Sequence, residues 1–106
     1  MKDSEKTIAV FRKWRPAYRK DSLCDIIALF PNLAGRSPTL CQSFEHVGGH
    51  GSADYNHCIR NSVPATPEEL EDTRKELEQL YGYNLEIRKR VRFVPFWNDA
   101  VFGDKR

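Results

Sequence analysis

The stretch Cys41 to Cys58, CQSFEHVGGHGSADYNHC, decides how the chain is read, because it holds all three histidines and two of the three cysteines. Thr39 to Val47 alternates Leu40, Gln42, Phe44 and His46 with Cys41, Ser43, Glu45 and Val47, which predicts a strand with apolar members on both sides. Gly48, Gly49 and Gly51 then surround His50, and glycines at that density open backbone angles that other residues avoid, so a turn is expected. From Ser52, as N-cap, a short helix follows with Ala53, Tyr55, Cys58 and Ile59 as a partly apolar stripe, ending before Pro64. The stretch thus reads as strand, glycine turn, helix.

Upstream, Thr7 to Trp14 (TIAVFRKW) is rich in β-branched and aromatic residues. Alternation sends Ile8, Val10 and Trp14 to one face and Ala9 and Phe11 to the other, so this strand is expected to be central enough to bury parts of both. Pro16 breaks the pattern and opens a basic loop around Tyr18. Cys24 to Phe30 (CDIIALF) is a short apolar run ended by Pro31, Asn32 and Gly35, a buried second strand.

Downstream, Thr66 is an N-cap, Pro67 takes the first helical position, Glu69 completes a capping box and Gly82 follows the last turn. Leu70, Thr73, Leu77 and Leu80 form the apolar stripe of this helix, and Glu71 supports Lys75 four residues on. Leu85 to Phe93 (LEIRKRVRF) alternates Leu85, Ile87, Val91 and Phe93 with Glu86, Arg88, Arg90 and Arg92, a half-buried strand with Lys89 as the exception. The expected order is β-β-β-α-α-β, an α+β fold in one domain over 1–106, with a mostly antiparallel sheet covered by helices on one face. Residues 1–6 are expected to fray, and 94–106 to form an aromatic tail.

At 106 residues, with 40% hydrophobic and 30% charged residues, the composition is that of an ordinary globular domain. No apolar run approaches the roughly 20 residues that cross a bilayer, and the opening MKDSEK is too polar for a secretory signal, so no membrane partner and a cytoplasmic location are expected. Three cysteines without a CxxC pair argue for free thiols. Seventeen basic against 15 acidic residues give a charge of +2, too small to imply nucleic acid without a local concentration of arginine.

The FRKWR, DIIALFP, CQSFEHVGGHGSADY and PATPEELE segments, spread over about Ile8 to Arg92, resemble a family of small uncharacterised bacterial and phage proteins. That resemblance implies a bacterial or phage origin and brings no biochemical role with it.

Five side chains of the central stretch, Cys41, His46, His50, His57 and Cys58, are competent zinc ligands. Their spacing is against a site: Gly48 and Gly49 interrupt the His46 and His50 pair, and adjacent His57 and Cys58 point apart. No metal site is favoured and no cofactor is expected, zinc being the alternative. Catalysis would use Cys41 or Ser43 as nucleophile, His46 or His50 as base and Asp54 to orient it, though no family motif frames them. GGHGS at a helix start offers backbone N–H groups to an anion, but without the lysine of a phosphate-binding loop.

A better-defined pattern is basic. Arg88, Arg90 and Arg92 project from one strand face about 7 Å apart, near the spacing of successive phosphates, and Arg12 and Arg15 with Lys13, Arg19, Lys20, Trp14 and Tyr18 extend the patch if the first and last strands are neighbours. Phe96 and Trp97 in the tail are aromatic anchors for a protein partner, or else pack on their own core. The sequence therefore points to a small non-enzymatic binding or regulatory protein acting on nucleic acid or protein, with an enzyme of the 41–58 stretch as the alternative.

Overall fold

The computed structural model describes residues 6–15, 26–46 and 49–97. Residues 1–5, the basic loop with Tyr18, Arg19 and Lys20, Cys24, Val47, Gly48, and the tail from residue 98 with Phe102 lie outside the described residues. Strand β1 (Thr7–Trp14) occupies the span that its composition predicts, and the sheet is built around it. On one side follow β2 (Ile26–Ala34), β3 (Cys41–Glu45) and β4 (Gly49–Ala53), each antiparallel to the last. After helix α1 (Tyr55–Arg60), β5 (Ser62–Pro64) pairs with the other edge of β1; after helix α2 (Pro67–Tyr81), β6 (Leu85–Arg88) pairs with that same edge.

That outer edge of β1 is divided between two partners. β6 runs parallel to it along Thr7 to Val10, and β5 antiparallel along Arg12 to Trp14. Between them the Ala65 N–H donates to the Phe11 carbonyl at 3.1 Å, so no gap is left in the ladder. The result is a six-stranded, mostly antiparallel sheet with two helices, an α+β fold as expected.

The sheet described has six strands where the sequence predicts four, β4 and β5 being additional, and β2 is longer than expected. β2 does not end at Phe30 but continues through Pro31 to Ala34. The register to β3 shifts between Phe30 and Ala34, and such an irregularity lets a residue without an N–H sit in a strand. The glycine stretch is a β-hairpin rather than a strand-to-helix turn: Gly49, at φ 73°, begins β4, which pairs back on β3 from Glu45↔Gly49 to Cys41↔Ala53. The α1 N-cap is consequently Asp54, not Ser52, with the Asp54 carboxylate accepting from the His57 N–H at 3.2 Å.

β1 alternates as its sequence predicts. Val10 and Trp14 join Ile27, Leu29, Cys41, Tyr55 and Cys58 on one face, and Ala9 and Phe11 join Ala28, Phe30, Phe44 and Leu77 on the other. Burying a side chain as large as Leu29, Phe30 or Phe44 contributes about 1.5–3 kcal/mol each. Tyr55 and Cys58 belong to α1 and Leu77 to α2, so the helices cover opposite faces and the expectation of helices on one face is corrected. The crossing from β4 at one edge to β5 at the other places α1 on its own side.

α2 has the ends its sequence specifies. Thr66 and Glu69 form the reciprocal capping box, Pro67 opens the helix, and Gly82 ends it in the left-handed region at φ 76°. Lys13 on β1 adds an ion pair to Glu69 at 2.8 Å. The apolar stripe runs Leu70, Thr73, Leu77 and then Tyr81 against Phe44, leaving Leu80 72% exposed. Eleven residues make three turns of an unsupercoiled helix, which carries the stripe to Tyr81 instead of Leu80.

Candidate functional site

The β3–β4 hairpin distributes the chemistry of the central stretch over both sheet faces. Cys41 faces Val10 and Leu29, together with Cys58 from α1. Phe44 faces the other way, and its cross-strand partner His50 has its ring 4.8 Å from that of Phe44. His46 also belongs to the α2 side, its Nδ1 2.8 Å from Oε1 of Glu76. His57 lies on α1 beside Asn61. The sheet thus stands between the two cysteines and the pair His46 and His50.

Among the described residues, no group of three or more His, Cys, Asp or Glu side chains is placed to hold a metal ion. Cys41 and Cys58 are both buried, and Cys41 is a free thiol. Burial, reinforced by Cys58, pushes the Cys41 thiol up to about 12, so at neutral pH it is a protonated apolar group. Ser43 is buried as well, and Asp54 serves as the helix cap. Ser52, expected as the cap of an anion-binding helix start, lies in β4, where its Oγ accepts from the Arg36 N–H at 2.8 Å.

The basic residues are also rearranged. Arg12, expected on an exposed patch, is 6% exposed. Its Nε donates to Ser62 Oγ at 2.8 Å, and its Nη2 to the carbonyls of Ser62 at 2.7 Å and Ile59 at 3.1 Å. Ser62 Oγ in turn donates to the Cys58 carbonyl. The guanidinium therefore closes the C-terminal end of α1, where helix carbonyls have no partner within the helix and a cation is favoured. Burial lowers the Arg12 pKa, an effect that Tyr55 opposes and that Arg90 and Arg15 strengthen.

Arg88, Arg90 and Arg92 do not form an even row, because β6 ends at Arg88. The cause is the divided edge of β1: beyond Val10 the backbone of Phe11 to Trp14 is already bonded to Ala65 and β5, so the chain must leave the sheet. Arg88 turns back to Glu86, with Nε 2.8 Å from the carboxylate. Arg90 and Arg92 are exposed, as are Arg15 and Arg60, and among the described residues none of these four makes an ion pair. Arg15 is tied to the end of α1 through its backbone N–H, which donates to the Asn61 carbonyl at 3.1 Å.

After β6 the chain crosses the sheet edge. Leu85 packs with the Phe11 and Phe44 face, whereas Val91, Phe93 and Phe96 pack with the Trp14 and Tyr55 face. One alternating stretch thus serves both faces. The Val91 N–H donates to Tyr55 Oη at 2.9 Å, Phe93 stacks on Tyr55 at 5.8 Å, and the Phe96 N–H donates to the Pro38 carbonyl at 2.7 Å. Of the two expected anchors, Phe96 is part of the protein's own packing and Trp97 is 59% exposed. Sequence reasoning placed Tyr55 on an apolar stripe without a role for its hydroxyl and missed Ser62 and Tyr83, the signal for Tyr83 being the aromatic pair flanking Gly82 in YGY.

No helix among the described residues is long and apolar enough to cross a membrane. A comparison of the chain with protein-family models, curated proteins and solved structures found no match.

Proposed function

We propose that the chain is a small non-enzymatic binding protein, of bacterial or phage origin, that docks nucleic acid on the surface formed by Arg15, Arg90 and Arg92. The observation that supports this reading is the charge around Arg12. Among the described residues the buried guanidinium is met by neutral oxygens only, and Arg15 and Arg90 lie close enough to depress its pKa. Positive charge gathered without a carboxylate to balance it is costly to the fold and favourable to a polyanion. Arg92 and the exposed Trp97 follow on the same segment, and an indole beside guanidiniums suits stacking on an unpaired base.

Anisotropy titration of a fluorescent single-stranded oligonucleotide tests the reading. Binding at about 50 mM salt should weaken steeply by about 200 mM, as counterion release requires. Arg90→Glu and Arg92→Glu should each weaken it at least about tenfold, a loss of about 1.4 kcal/mol, whereas Arg88→Ala, whose arginine is engaged by Glu86, should change it little. Affinity that ignores salt, or no affinity at about 50 mM, excludes the proposal.

A further inference from the structure

The end of β1 away from the arginines carries a cleft unrelated to that surface. From Thr7 to Trp14 the strand extends roughly 23 Å. Around Thr7, Lys6, Asn32, His50, Tyr81, Tyr83 and Asn84 line a cleft of about 740 Å³. That volume falls in the range of about 300–1,000 Å³ typical of small-molecule sites.

Its aromatic wall is set in place by the core beneath it. Tyr83 lies flat on fully buried Phe30, ring centres 5.2 Å apart at 9°. His50 is nearly parallel to Tyr83 at 6.0 Å, with Nε2 3.1 Å from the phenol oxygen, and Tyr81 meets the His50 ring edge-on at 4.9 Å. Three rings from two distant parts of the chain therefore hold one another in fixed orientations. Burial also raises the Tyr83 pKa, so its hydroxyl stays protonated beside His50 Nε2.

The polar part of the lining is one-sided. Among the described residues it includes the ammonium of Lys6, the amides of Asn32 and Asn84 and two phenols, and no Asp or Glu. Lys6 is exposed and makes no ion pair among the described residues. A cationic group and hydrogen-bonding amides beside a wall of rings match a ligand that is flat at one end and anionic at the other.

We infer that this cleft is a binding site for a small molecule that joins a planar aromatic ring to an anionic group, of the nucleoside monophosphate class. The ring stacks on Tyr81, with the perpendicular His50 ring meeting it edge-on, and the anion is held by Lys6. The site shares no residue with the arginine surface and stands or falls independently of it.

Calorimetric titration of the full chain with adenosine, guanosine, cytidine and uridine monophosphates provides the test. At least one should bind with a Kd below about 1 mM, with its nucleoside and inorganic phosphate each weaker by about tenfold or more. Lys6→Ala and Tyr81→Ala alter exposed side chains, and each should weaken binding by about tenfold in protein whose circular dichroism is unchanged, while Arg90→Glu should leave it unaltered. Absence of binding by all four overturns the inference. So does equal affinity for the nucleoside, or binding that Arg90→Glu abolishes and Lys6→Ala and Tyr81→Ala leave intact.

Discussion

Arg12 on β1 donates from Nε to Ser62 Oγ at 2.8 Å and from Nη2 to the Ser62 carbonyl at 2.7 Å, fifty residues along the chain. Through these bonds and the one to Ile59, the central strand closes the end of α1 and fixes the start of β5. The same residue joins the fold to the basic surface, since Arg15 and Arg90 are its charged neighbours.

Replacing Arg12 should be among the more damaging single changes. Arg12→Met leaves the Ser62 and Ile59 carbonyls short of a donor in a buried site and should cost about 2–3 kcal/mol by urea unfolding. Arg12→Lys should recover less than half of that loss, because one ammonium lacks the planar fork that reaches several oxygens at once. Full rescue by lysine would show that charge alone, not the forked geometry, is what the position requires.

Tyr55→Phe keeps the ring that stacks on Phe93 and removes the oxygen that accepts from the Val91 N–H. We expect a loss of about 1 kcal/mol. Amide exchange should quicken at Val91 and the residues that follow while β1 to β3 remain protected. Unchanged exchange at Val91 would show that ring packing alone holds the segment.

Cys41 should resist alkylation in the folded protein at pH 8 and react once the chain is unfolded in denaturant. Its folded pKa, about 12, is raised above the unfolded value, so the stability it contributes is complete below about pH 8.5 and is lost as pH rises toward the folded value. Unfolding midpoints of wild type and Cys41→Ala, compared from neutral to alkaline pH, should converge as the pH increases. Parallel curves would remove the thiol from the alkaline transition.

Glu69 has a lowered pKa, chiefly through its hydrogen bond from Lys13 and then that from the Thr66 N–H. The folded value lies below the unfolded one, so its contribution is present above about pH 4.3 and is lost as pH falls through the folded value. Glu69→Gln retains an oxygen for the capping box and gives up the ion pair with Lys13. Its stability should therefore fall less steeply than wild type in acid, and wild type should weaken more than the variant when salt is added at pH 7. Identical acid limbs would count against this pair as a source of the pH dependence.

The sequence by itself determined the elements whose signals are local. Thr66, Pro67, Glu69 and Gly82 define α2 because caps act through neighbouring backbone groups, and TIAVFRKW defines a central strand because alternation is a property of the strand alone. Only the tertiary structure decided which edges were free. β6 stops at Arg88 because Ala65 and β5 already hold the rest of β1, and no periodicity within LEIRKRVRF carries that information. GHGSA became a hairpin strand because β3 offered it an open edge, and a glycine-rich segment is equally permitted in a turn and in such a pairing. Arg12 looked like surface charge for the same reason, since the helix end that takes up its guanidinium is fifty residues away. Cys41 and Cys58 were separated from His46 and His50 by the sheet because strand neighbours point to opposite faces, and which face meets which helix is set by long-range pairing.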